Sequence, residues 1–190
     1  MKRIIAVIMA AMLMLSLAAC GGEKAPQVEA LKPLDVLNTV WASYEDAEKF
    51  PAGGGDMLSE ETTSWEGPAA FGVTGDAVEA LNATLHFPTE SASKITEAAS
   101  LMHAMNANTF TCGVFKVADA NEMDALVTEI KATIDGTQWM CGFPEKVLIA
   151  KTGDTIVSVV GNTDLVDTFN TKLTTAYTST VVVIDEAIVA

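Results

Sequence analysis

Residues 146–161 read KVLIAKTGDTIVSVVG, and the architecture of the chain turns on them. Two runs rich in Val, Ile and Thr, 146–152 and 155–161, flank the pair Gly153-Asp154. β-Branched residues suit a pleated, packed surface, and Gly-Asp supplies the backbone freedom of a two-residue turn, so the stretch predicts a β-hairpin. Upstream, 109–118 (TFTCGVFKVA) is strand-like, with Phe115 and Val117 on one face. Asn121 then caps a helix in which Met123, Leu126, Val127, Ile130 and Ile134 recur at helical spacing, with Asp124 placed to reach back to the cap. Downstream, Thr163 caps a helix with Val166, Phe169, Leu173 and Ala176 inward, and 180–188 closes as a strand.

In order, residues 109–190 read β-α-β-β-α-β. That is the split βαβ arrangement of ferredoxin-like folds, an antiparallel sheet with both helices on one face. An internal echo supports it: Val117, Asn121, Glu122 and Met123 recur as Val159, Thr163, Asp164 and Leu165, offset by 42. The predicted class is α+β, with additional N-terminal helices.

Residues 33–108 read mainly as helices and one long loop. Pro33 opens a helix with Leu34, Leu37, Trp41 and Tyr44 on one face. From 50 to 68 the pattern breaks into Gly, Pro, Ser, Thr and acids, and loops of that length in compact domains are mostly functional or disordered. Met57 and Trp65 lie in it, either folding back onto the core or forming a binding loop. Thr74 is placed to cap a helix with Asp76 in its first turn, and 81–87 fits either its continuation or a strand. Ser91 or Ser93 then caps a further helix whose stripe is Ile95, Ala98, Leu101 or Met102, and Met105.

The N-terminus carries an address. Lys2 and Arg3 precede an apolar run from Ile4 to Leu17, closed by Leu17-Ala18-Ala19-Cys20. Basic, apolar, then small residues is the order of a bacterial secretory signal, and a cysteine after the small pair makes it a lipobox. Fourteen residues rise only about 21 Å as a helix, short of the roughly 30 Å hydrocarbon core. The reading is therefore a signal peptide over 1–19, cleaved between Ala19 and Cys20, with Cys20 lipidated. A flexible tether follows over 20–32, spanning roughly 20 Å, and a single domain over 33–190. The protein is expected at the outer face of the cell membrane, held by the lipid on Cys20.

The chain has 190 residues and a net charge of −14; without the leader, 9 basic residues face 25 acidic ones, a net charge of −16. Such a surface repels nucleic acid and anionic headgroups, which excludes a nucleic-acid role. Export permits a disulfide, and Cys112 and Cys141 are the cysteines left to form one. The helix after the first strand runs back, returning its end near the strand's start, so the two either pair or remain buried thiols.

No catalytic or metal-binding pattern emerges, and no cofactor is expected. His86 and His103 have no Cys or acid at ligand spacing, and Gly53-Gly54-Gly55-Asp56 lacks the Lys and Ser/Thr of a phosphate loop. The expected function is a non-enzymatic binding or accessory module, with an envelope protein as partner. The alternative is a solute-binding lipoprotein serving a transporter.

Three segments carry a resemblance: Phe71-Gly72-Val73 with its acidic helix start, Gly113-Val114-Phe115-Lys116-Val117, and the run from Lys146 through Leu173. In these the chain resembles small clostridial surface lipoproteins grouped as a domain of unknown function, some loosely labelled bacteriocin-transport accessory proteins. Between Val73 and Thr109 it is longer than that pattern. The resemblance implies a lipid-anchored surface protein of a Gram-positive gut anaerobe, and brings no substrate, cofactor or active site.

Cys20→Ala is expected to release the protein from the membrane fraction or leave an uncleaved precursor. Mass spectrometry of the mature N-terminus checks this, and an unmodified start at another residue would contradict it.

Overall fold

The computed structural model describes residues 29–56, 59, 63–140 and 142–189. The leader, Ala19, Cys20, Met57 and Cys141 lie outside the described residues. In chain order come α1 (Pro33–Ala42), β1 (Ala52–Gly53), β2 (Ala69–Phe71), α2 (Ala77–Leu85) and β3 (Ile95–His103). Then follow β4 (Phe110–Val117), α3 (Met123–Asp135), β5 (Lys146–Thr152), β6 (Thr155–Gly161), α4 (Thr163–Ala176) and β7 (Val181–Ala187). The fold is α+β, built on one seven-stranded sheet in the order β1-β3-β4-β6-β5-β7, with β2 also paired to β3. Every pairing in it is antiparallel.

The hairpin forms where its residues demand it, with Lys146 opposite Gly161 and Thr152 opposite Thr155. Gly153 takes φ 54° at the first central position, which a type II′ turn needs. A side chain there would also collide with the chain crossing the turn, since a Cβ would lie 2.4 Å from the Glu29 carbonyl oxygen.

Each face of the sheet carries its own core. On one, Leu126, Val127, Ile130 and Ile134 of α3 and Leu81 and Leu85 of α2 pack on Phe115, Ile149, Ile156 and Val160. On the other, Val36, Leu37 and Val40 of α1 and Val166, Phe169 and Leu173 of α4 pack on Cys112, Val114, Leu148, Val157 and Val159. Burying each such aliphatic side chain contributes about 1.5–3 kcal/mol, before the entropy of ordering it.

This corrects the ferredoxin-like expectation. The β-α-β-β-α-β order is present, but a ferredoxin-like unit returns its last strand beside its first, whereas β7 lies beside β5. The outer edge of β4 is already filled by β3, which pairs with it from Ile95↔Val117 to Met102↔Thr111. The crossover β4-α3-β5 steps over β6, and β6-α4-β7 steps over β5 in the same direction. Those crossovers start from antiparallel strands, so right-handed connection places α3 and α4 on opposite faces.

The strand β3 was expected as a helix. Both its faces are covered, so Ala98 through Met102 are all buried and the alternation that marks a half-exposed strand is missing. The Ser91 and Ser93 region is a 3₁₀ turn, Thr89–Lys94, instead of a helix start. Residues 33–108 thus hold three strands beside α1 and α2. Residues 81–85 continue α2, whose N-cap is Asp76 rather than Thr74. Before α3 the Asp119 carboxylate accepts from the Asn121 N–H, and the N-cap position of α4 falls on Asn162 instead of Thr163, whose N–H donates to the Glu145 carboxylate.

Residues 29–31, at the start of the described chain, are fixed on the hairpin. The Asp154 N–H donates to the Glu29 carbonyl (2.9 Å), and the Leu31 N–H donates to Asp154 Oδ1 (2.8 Å). Lys116 Nζ donates to the Leu31 carbonyl (2.9 Å) and lies 3.2 Å from Asp154 Oδ2.

Gly54 sits where a Cβ would meet backbone atoms: Ala69 N at 2.4 Å, Ser100 O at 2.5 Å and Gly67 O at 2.8 Å. Gly54→Ala is therefore expected to cost at least about 2 kcal/mol by overpacking, measured by urea denaturation. A loss below about 0.5 kcal/mol, the range of ordinary surface changes, would contradict that close approach.

Candidate functional site

The sheet has two dissimilar ends. One holds the 153–154 turn, the start of β3 and the fixed residues 29–31. At the other lie the start of β1, the ends of β3 and β7, the turn at 104–109 and the loop 136–145. Met105 (80 % exposed), Met140 (78 %) and Phe143 (63 %) stand out at this second end. The Asn108 side-chain amide joins its two loops, donating to the carbonyls of Met140 (2.7 Å) and Gly142 (2.9 Å).

Beside them a cleft of about 480 Å³ opens between the last turn of α3 and the end of β7. Ile134, Trp139, Phe143, Val147 and Ile188 form its apolar lining, with Lys131, Asp135 and Glu186 at the polar side. Those charges answer one another: Lys131 Nζ lies 2.6 Å from Asp135 and 2.9 Å from Glu186. The volume suits a small ligand, but the cleft's charged groups are already paired, unlike a site whose polar groups converge on a guest.

Trp139 separates this cleft from His86, meeting its ring edge-on at 4.8 Å. His86 ends α2 in the left-handed region, φ 54°, and the Asn82 side chain steadies the turn by donating to the Phe87 carbonyl (3.0 Å). Its Nδ1 lies 3.4 Å from Thr137 Oγ1, and burial pushes its pKa down from 6.5 to about 4. His103 is elsewhere, stacked on Phe50 at 5.6 Å and accepting from the Met105 N–H (3.2 Å). The two histidines do not converge, and among the described residues no group of three or more His, Cys, Asp or Glu could hold a metal ion.

The other residues singled out in the sequence lie apart from the cleft. The loop 50–68 is closed at its base by reciprocal Gly54–Ser64 backbone bonds (2.9 and 2.8 Å), and Ser100 Oγ accepts from the Gly55 N–H (2.8 Å). Trp65, at its exit, is 64 % exposed and does not fold back onto the core. It stands at the β1/β2 edge of the sheet, across from the cleft. Cys112 is a free, fully buried thiol facing the α1/α4 layer, and burial pushes its pKa well up. Its possible partner, Cys141, lies outside the described residues. The signal in the sequence for the loop 136–145 is Trp139, Met140 and Phe143 together in a Gly- and Pro-bearing connection.

The described surface is short of free cations. Lys49, Lys94, Lys116, Lys131, Lys146, Lys151 and Lys172 each lie within salt-bridge distance of a carboxylate. Among the described residues, no helix is long and apolar enough to cross a membrane.

His86 sets a pH dependence. The unfolded chain binds its proton near 6.5 and the folded one near 4, so its contribution is complete above 6.5 and lost as pH falls toward 4. The expected loss is about 2–3 kcal/mol across that window, and His86→Asn, which keeps a residue tolerant of the left-handed region, flattens it. Glu129 (held by the Ser91 hydroxyl) and Glu145 (held by the Thr163 N–H) have lowered pKa values, so their stabilisation is present above 4.5 and is lost only as pH falls below it. Denaturant midpoints at several pH values check this; equal slopes in both proteins between 6.5 and 4.5 would contradict it.

No protein-family model, no curated protein and no solved structure matches this chain.

Proposed function

We propose that this is a lipid-anchored cell-surface binding module, non-enzymatic, which presents the end of its sheet remote from the anchor to an envelope protein. The observation that carries the reading is the exposure of Met105, Met140 and Phe143 together at that end. Water-exposed methionine and aromatic side chains on loops pinned by hydrogen bonds suit a contact surface better than a solvated one. The leader and Cys20 supply the anchor. Residues 20–28 extended reach about 30 Å, and residues 29–31 are locked to the hairpin end. An anchored chain would therefore stand with its hairpin end toward the membrane and Met140 and Phe143 outward. The strongly acidic surface keeps the domain off anionic headgroups, leaving attachment to the lipid.

The cleft beside Trp139 favours a second reading, a small-solute site serving a transporter, because its size suits a small ligand. Its lysine and carboxylates are mutually paired, so the protein-contact reading ranks first.

A photo-crosslinking residue at Met140 or Phe143, in intact cells, is expected to trap one and the same protein, and the same residue at Ser179 is not. Phe143→Asp should abolish the adduct while stability stays within about 0.5 kcal/mol, as for other exposed positions. Equal trapping from Ser179, or an undiminished adduct with Phe143→Asp, would contradict the proposal.

A further inference from the structure

The last strand of the sheet is open. One edge of β7 pairs with β5, and among the described residues no strand pairs with the other. Neither helix layer covers it, and within it only Ile184 is partly shielded. Its partners fix its faces. Ile184 stands opposite Ile149 of the α3 core and Val182 opposite Ala150 of the α4 core, with an irregularity at Val183. Val181, Ile184 and Glu186 thus belong to the α3 face, and Val182, Asp185 and Ala187 to the α4 face. Each face is apolar at the start of the strand and acidic near its end.

Both acids belong to triads. On the α4 face Lys146 bridges Asp167 and Asp185 (2.5 and 2.6 Å), and on the α3 face Lys131 bridges Asp135 and Glu186 (2.6 and 2.9 Å). Each triad holds two carboxylates against one ammonium, so one negative charge is left over on each side of the open edge.

We propose that the free edge of β7 accepts an extended polypeptide segment of two adjacent basic residues followed by an apolar run, added as an antiparallel strand. Main-chain bonds along an open edge supply affinity, and alternate side chains supply choice. Successive strand residues point to opposite faces. A pair of neighbouring Lys or Arg therefore puts one cation on each triad, and the following residues meet Val181 to Ile184. Antiparallel addition continues the pattern of the whole sheet and sets the order, basic pair first. A second copy of β7 fits poorly, since VVVIDEA contains no basic residue and brings its own net negative charge. The proposal depends neither on the lipid anchor nor on the Met140 and Phe143 surface.

The test uses full-length protein in detergent with two fluorescent peptides, acetyl-Arg-Arg-Val-Thr-Val-Thr and acetyl-Glu-Glu-Val-Thr-Val-Thr. The basic peptide is expected to bind, to slow hydrogen exchange across 181–187, and to weaken as salt rises. The acidic peptide, and the basic peptide on Asp185→Asn/Glu186→Gln, should each bind about tenfold more weakly, roughly the worth of two exposed ion pairs. The matched peptides keep the comparison valid even if the double variant folds poorly. Equal binding of the two peptides, no binding of either, or protection outside β7 would overturn the proposal. So would an edge already protected without peptide, either by a concentration-dependent dimer or by residues 1–28, whose removal would then speed exchange in β7.

Discussion

Both edges of β4 are taken, by β3 on one side and β6 on the other, and the rest of the molecule is arranged around that fact. Helices also cover both faces of this central strand, and β4 is apolar on each: Phe115 and Val117 serve one core, Cys112 and Val114 the other. With β4 closed, the final strand could join the sheet only beyond β5. Right-handed crossovers then put α4 on the face opposite α3 and gave the sheet cover on both sides. One displaced strand accounts for the three layers, the two cores and the open edge at β7.

The hairpin and the helices around it were legible because their signals are local. Gly153-Asp154 with its flanking runs, the stripe of α3 and the stripe of α4 each state their structure within a few residues. The strand β3 was not legible, because a strand covered on both faces loses the alternation that distinguishes it. Ile95, Ala98, Leu101 and Met102 happen to fall at helical spacing as well. The consequence reached far from β3. Without it the C-terminal elements closed on themselves in a ferredoxin-like arrangement, and the sequence held nothing local to the error that could expose it.

The candidate sites divide in the same way. Trp65 could be picked out as an unusual residue in a long polar loop, and it is exposed. Its separation from the cleft depends on which sheet edge the loop follows. The strand-then-helix argument placed Cys112 near the start of its strand without saying which face its thiol takes, and Cys112 lies in the α1/α4 core. The carboxylates looked scattered along the sequence. Only the sheet brings Asp135 with Glu186 around Lys131, and Asp167 with Asp185 around Lys146. The acidic composition was plain from the start; its focus on the two sides of one strand is a product of topology.

The strand order governs the layers, the cores and the open edge, and inter-strand proton contacts measure it directly. NOE spectroscopy on labelled protein should show backbone contacts between β7 and β5, linking Leu148 with Asp185 and Ala150 with Val182. It should also join β3 to β4 at Leu101 and Cys112. Contacts between β7 and β4 in place of these would return the last strand to the edge that β3 occupies, and would contradict the account.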